Sequence, residues 1–428
     1  MVGIDAAAVA SLGEDRIDWR CKGMPSALFG RTVAEALATR PNLFSDGFVG
    51  PLVVLDDEAV DHNIATMARW CAAKGVELAP HGKTTMAPQL FQRQLDRGSW
   101  AITTANASQL RVYRAFGVNR ILMANQLVDP AALRWLAAEL EAHPEFEFCC
   151  WVDSVRGVEL MTEGLADAKR KVDVLVELGA AGGRTGARDL PTAVAVADAV
   201  ATSPALRLVG VGGYEGALAH DASAEAFATV DAYMQAIREL TITLTGHFDD
   251  LDRVIVTVGG SAYFDHVADA LTQPWPTGLP VLPVLRSGAY VTHDDGFYRG
   301  VSPLGEHARI GGVPAFRPAL RAWAQVTSKP QPDLALLTIG KRDASFDEGL
   351  PEPQLIRTGD GTKPLTGCVV TAMNDQHSFM AVDGADVRVG DWIGLGLSHP
   401  CTVFDKWQLL PAVGADGETV VDLIRTYF

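Results

Sequence analysis

In the stretch "LAPHGKTTMAP", residues 78–88, a lysine stands between a glycine and two threonines. Gly-Lys-Thr closes a P-loop, whose backbone amides cradle nucleotide phosphates, but a P-loop needs a second glycine five positions before Gly82. Glu77 occupies that position, and its charge repels phosphate. Pro80 and His81 stiffen and polarise the segment ahead of the lysine. Lys83 is therefore open to three readings: phosphate clamp, solvated surface charge or covalent catalyst. Further along, Arg184 lies between glycines in "GGRTG", Tyr214 and Glu215 sit in "GYEG", and Gly259-Gly260-Ser261 follows an apolar run. Successive backbone amides and a hydroxyl at the start of a helix complement an anion, so the Gly-Gly-Ser turn is a candidate phosphate cup. In "LSHPC", His399 and Cys401 are one residue apart. On an extended segment such neighbours project to one face, and imidazole with thiolate suits zinc. That spacing alone is a weak signal, as is each of the other features taken singly.

Short apolar runs rich in β-branched residues alternate with longer alanine-rich stretches of helical periodicity, from residue 50 to about 290. The runs at 76–80, 100–104, 120–125, 146–152, 172–178, 206–213, 253–258 and 279–285 read as strands. Eight strand–helix units with strands apolar on both faces match a closed (β/α)8 barrel. An open doubly wound sheet is the alternative, but no glycine fingerprint follows the first strand. The working residues of a barrel lie at the C-terminal ends of its strands. That rule puts Lys83 after the first strand, Arg184 after the fifth, Tyr214 after the sixth and Gly259-Gly260-Ser261 after the seventh, all on one rim. A lysine and a phosphate cup in one barrel mouth suggest pyridoxal phosphate, which needs both.

After residue 300 helical periodicity fades, and runs such as "GCVVTAM" and "DWIGLGL" alternate with Gly, Pro and Asp turns. The expected division is an N-terminal segment (1–45) packing with the β-domain, a pyridoxal-phosphate-binding barrel (46–300), and a β-domain (301–428). The fold class is α/β, a (β/α)8 TIM barrel followed by a C-terminal β-domain.

Of 428 residues, 48% are apolar, enough for a sizeable core. Lys and Arg number 36 against 52 Asp and Glu, a net charge of -16 that disfavours nucleic acid and anionic membrane as partners. No apolar run approaches the ~20 residues of a membrane helix, and the first residues lack a signal-peptide pattern. Six scattered cysteines do not form the spacing of a small disulfide framework. The expected compartment is the cytoplasm.

The stretch "APHGKTTMAP" resembles the pyridoxal-lysine motif of the D-serine dehydratase and D-threonine aldolase family, whose alanine-racemase-like fold is a (β/α)8 barrel with a β-domain. The likeness continues in order through "ITTANASQL", "GGRTG", "GYEG", "VGGS", "SGAYVTHDDGFY" and "SHPCTVFDKW". It implies that Lys83 carries the cofactor as a Schiff base and removes the Cα proton, with His81 among the residues that contact the cofactor. Arg184 would lie near the phenolic oxygen, and Gly259, Gly260 and Ser261 would hold the phosphate. Tyr214 would approach the pyridine nitrogen and Tyr290 the cofactor rim. His399 and Cys401 match the family's metal ligands. Aldolase relatives often have aspartate at the place of Cys401, favouring manganese; the cysteine leans toward zinc and dehydration. His377 resembles a family histidine near this region. One departure stands out: many relatives have arginine two residues before the histidine, where this chain has Ala79.

The implied reaction is dehydration of a D-3-hydroxy amino acid, D-serine first among them, to a 2-oxo acid and ammonia. Zinc bound to His399 and Cys401 would act as Lewis acid on the leaving hydroxyl. A retro-aldol cleavage, a racemase and a non-catalytic carrier of the cofactor are the rival readings, and the resemblance implies a homodimer.

Overall fold

The computed structural model describes residues 2–248 and 250–428. The first strand, β1 (Leu52–Asp56), precedes the barrel and does not join it. Eight parallel strands follow: β2 (Glu77–Leu78), β3 (Ile102–Thr104), β4 (Arg120–Gln126), β5 (Glu147–Val152), β6 (Val172–Leu178), β7 (Leu206–Gly213), β8 (Val254–Val258) and β9 (Val281–Leu285). They pair in the order β2-β9-β8-β7-β6-β5-β4-β3. Just past β2, His81 bridges in parallel to Thr103 of β3, so the two ends of that order meet. Each of the eight runs read as strands coincides with one of these to within a few residues, and the curled parallel sheet is the expected barrel.

Local chemistry explains the alternation. β-branched and aliphatic residues make strands such as "VDVLVEL" buried along nearly their whole length. The helices between them start where a short polar side chain can take a free amide. Asp129, Ser154, Asp189 and Ser223 each accept from the backbone N–H three residues on. Inside the barrel, Leu122, Cys149, Trp151, Leu175 and Val209 form one packed layer, and Ala79, Ala101 and Val284 a smaller one.

The second sheet has ten strands. Besides β1 it contains β10 (Leu320–Gln331), β11 (Leu334–Leu337), β12 (Glu352–Thr358), β13 (Gly361–Pro364), β14 (Cys368–Met373), β15 (Ser378–Val382), β16 (Trp392–Gly396), β17 (Leu409–Val413) and β18 (Val420–Arg425). Within it, β1 lies between β10, antiparallel, and β17, parallel. Ile17, Leu28, Val33 and Leu43 pack with Trp323, Leu409 and Val420 of this sheet, whereas Val9 and Leu12 lean on Phe116 of the barrel side. Among the described residues no helix is long and apolar enough to cross a membrane.

Candidate active site

A cavity of about 300 Å³ opens at the C-terminal ends of the barrel strands. Its wall takes His81 and Lys83 from beyond β2, Arg184 from beyond β6 and Tyr214 from beyond β7. The turn Gly259-Gly260-Ser261 closes one side, and His399 and Cys401 reach in from the β-domain. Tyr290 does not line it. The short helical turn Ala289–Val291 buries that ring, and its hydroxyl accepts from Gln94 Nε2 at 2.9 Å. The expectation for Tyr290 is thus corrected: a turn right after β9 points it into the core, and Ala289 faces the cavity instead. His377 is also away from the cavity, exposed in the turn between β14 and β15.

Lys83 lies on a single helical turn, Gly82–Thr84. Only glycine fits ahead of it, since a Cβ on Gly82 would meet Tyr113 Oη at 2.6 Å and Phe91 at 2.8 Å. Among the described residues, Lys83 Nζ has no hydrogen bond or ion pair. Burial holds its amine below the ordinary lysine range; Arg184 and Arg286 push the same way, and Cys401 opposes them. Burial also drives the His81 imidazole well below its usual value, with Lys83 and Arg286 adding to the effect. His81 Nδ1 is buried without a hydrogen-bond partner.

The Gly-Gly-Ser turn departs from a simple phosphate cup. The amides of Gly259 and Gly260 donate to the carboxylate of Glu215, at 3.1 and 2.8 Å. Glu215 is fully buried; burial raises its pKa, while these amides and Arg286 pull it back. Both glycines therefore shape the wall through a clamp, and Ser261 stands at the cavity ahead of helix Phe264–Leu271. The preceding residue, Tyr214, has its amide bound to Tyr233 Oη at 3.0 Å. Its phenol is pushed up to about 12, chiefly by burial. Arg184 is exposed on its glycine loop, yet its guanidinium sits 4.9 Å from the centre of the Tyr214 ring.

On the opposite side, His399 and Cys401 are not on an extended segment. His399 has φ +50°, and Cys401 begins the short helix Cys401–Phe404. The two side chains still line one cavity, close enough for each to shift the other's ionisation. His399 Nδ1 bonds Asp347 Oδ2 at 2.6 Å, and Asp347 Oδ1 accepts from Thr402 at 2.8 Å. Cys401 Sγ lies 3.4 Å from Thr84 Oγ1, next to Lys83. The neighbouring Cys401 thiol and the Asp347 carboxylate raise His399 to about 9 against the cost of burial. Burial opposes ionisation of Cys401, but His399, Thr84 and Lys83 outweigh it and the thiol falls below its ordinary value.

These donors fit the groups named from the sequence. An unpaired, desolvated amine suits an aldehyde, the orphaned His81 Nδ1 awaits a polar partner, and Ser261 is available to an anion. Imidazole and thiolate, the imidazole backed by a carboxylate, suit zinc. Among the described residues no group of three or more His, Cys, Asp or Glu is placed to hold a metal ion. A metal at His399 and Cys401 would thus take its remaining ligands from solvent or substrate. The sequence reading passed over several residues of the wall, among them Trp151, Glu177, Arg286 and Tyr298. Tyr298 stands in the quoted run "SGAYVTHDDGFY", whereas Arg286 directly precedes it and looks like any rim arginine.

The family model "Alanine racemase, N-terminal domain" matches residues 55–266, and "Putative serine dehydratase domain" matches residues 319–413. A D-threonine aldolase from Arthrobacter sp is 27% identical over 345 residues, 78% of this chain and 80% of that protein. The crystal structure of D-threonine aldolase from Filomicrobium marinum superposes with TM-score 0.73 at 25% identity, covering 89% of this chain and 95% of the other. D-threo-3-hydroxyaspartate dehydratase from Delftia sp. HT23 shares the fold, with TM-score 0.69 at 21% identity over 89% of this chain and 98% of that one.

Proposed function

We propose that this chain, which belongs to the D-serine dehydratase and D-threonine aldolase family of alanine-racemase-like proteins and is a pyridoxal-phosphate-dependent lyase of D-3-hydroxy amino acids, eliminates water from D-serine. The products are a 2-oxo acid and ammonia. The observation that carries this reading is the Thr84–Cys401 contact, which sets the His399–Cys401 pair against the turn that bears Lys83.

Lys83 would hold the cofactor covalently, Ser261 its phosphate, and Arg184 and Tyr214 the ring edge. When bound, pyridoxal phosphate supplies the electron sink that acidifies the substrate Cα–H. Lys83, with a desolvated amine, takes that proton. His81, held neutral by burial, does not compete as a second cation. Tyr214, protonated at neutral pH, keeps a donor on the cavity wall. His399 and Cys401 would hold zinc, which supplies Lewis acidity for a leaving hydroxyl. Asp347 fixes the His399 ring for that task through Nδ1.

A second reading, retro-aldol cleavage, is favoured by the D-threonine aldolases among the relatives. Both reactions use the same lysine and metal pair. Purified protein with pyridoxal phosphate and zinc, given D-serine, D-threonine and D-3-hydroxyaspartate, separates them. Pyruvate and ammonia from D-serine are expected. Glycine and an aldehyde as the main products would replace the first reading by the second.

A further inference from the structure

Arg286 is 3% exposed and stands one residue past β9, inside the barrel, where it forms part of the cavity wall. Its NH1 donates to Thr257 Oγ1 at 2.6 Å, its NH2 to the Gly213 carbonyl, and its guanidinium lies 4.8 Å from the centre of the Trp151 ring. One side chain therefore ties together β5, the end of β7 and β8. Two buried carboxylates share its surroundings, Glu215 and Glu177, and neither forms an ion pair among the described residues. Glu177 is held instead by Gln126 at 2.6 Å and Thr185 at 3.0 Å. The charge of Arg286 favours the ionised forms of both acids, which are otherwise held by neutral hydrogen-bond donors.

The neighbour across the sheet is Ala79. Leu285 pairs with Leu78, and the Ala79 amide donates to the Leu285 carbonyl at 2.8 Å, so residues 79 and 286 follow matched positions on β2 and β9. Ala79 is fully buried in the barrel interior with Ala101 and Val284. A methyl group there leaves the centre of the barrel to a long side chain from the adjacent strand.

We propose that Arg286 is a positioning residue, seated from β9 in the barrel-centre space beside Ala79, that holds the Tyr214–Glu215 corner and through it the Gly259–Ser261 wall of the cofactor cavity. The linkage is continuous. Arg286 fixes the Gly213 carbonyl, Tyr214 and Glu215 follow directly, and Glu215 clamps the amides of Gly259 and Gly260. The corner has little slack, because a Cβ on Gly213 would already meet Tyr233 Oη at 2.2 Å. The role of this wall in holding cofactor rests on the reading above, but the clamp itself does not.

The test moves the arginine between strands in the full-length protein. Arg286→Met keeps bulk but removes charge and donors, Arg286→Gln keeps one amide, and Ala79→Arg/Arg286→Gln returns a guanidinium to the same space from β2. Amide hydrogen exchange without added cofactor reads the clamp over residues 212–216 and 257–262, and pyridoxal phosphate titration reads the cavity. Arg286→Met and Arg286→Gln should speed exchange in both segments and weaken cofactor binding about 10-fold, the scale of one charge-assisted contact. The double variant should recover most of both. Unchanged exchange in Arg286→Met would make Arg286 mere filling, and a double variant no better than Arg286→Gln would refute the shared seat. If either single variant does not fold, recovery of fold by the double variant supports the proposal and its absence overturns it. Exchange that responds as described in a protein that binds no pyridoxal phosphate would sink the cofactor reading while leaving the clamp.

Discussion

Lys83 owes its chemistry to three residues around it. Gly82 lets the backbone pass under Tyr113 and Phe91, Thr84 faces the Cys401 sulfur, and His81 closes the barrel at the same level. An amine kept dry and without a hydrogen-bond partner is less protonated than an exposed one and better placed to attack a carbonyl. Reduction with borohydride in the presence of pyridoxal phosphate should therefore fix the cofactor on Lys83, found by mass spectrometry of the digest. Lys83→Ala should lose that adduct and about 10³-fold of turnover, the scale of a missing general base. An adduct mapped to a different lysine would remove the covalent role from this residue.

At the scale of elements, the barrel depends on close backbone approach where β7 meets β8. A Cβ on Gly210 would lie 1.8 Å from the Ile255 carbonyl oxygen, which is backbone and cannot rotate away. Gly210→Ala should cost about 3 kcal/mol or more in denaturant unfolding, at the upper end of overpacking effects; a midpoint equal to that of the parent would show that the strands can part freely. The eight barrel strands were legible because each is a continuous apolar run bounded by helical periodicity. The place of β1 was not, since "LVVLD" reads as a strand in either sheet and its partners, Trp323 and Ala412 among them, lie more than 250 residues away. Rim residues were legible from strand ends, with two lessons. Tyr290 fell into the core because one helical turn after β9 reverses its direction. The Glu215 clamp on Gly259 and Gly260 joins two loops, and no spacing within either loop encodes it.

At the scale of the whole molecule, the cavity exists only where barrel and β-domain meet. Asp294, nine residues past β9, accepts from the His399 amide at 3.0 Å, and the Asp295 amide donates to the Leu397 carbonyl at 2.9 Å. These bonds set the loop after β16 over the barrel mouth, so a lysine from one sheet and a histidine–cysteine pair from the other share one space. In the proposed function the labour divides accordingly, proton removal to the barrel and departure of hydroxide to the β-domain pair. The direct measurement follows ammonia release from D-serine and deuterium exchange at its Cα together, in zinc-loaded and chelated protein. Chelation, and Cys401→Ala likewise, should abolish ammonia release while leaving part of the Cα exchange, because Lys83 needs no metal to move that proton. Full ammonia release by metal-free protein would contradict the account and leave His399 and Cys401 as a structural pair.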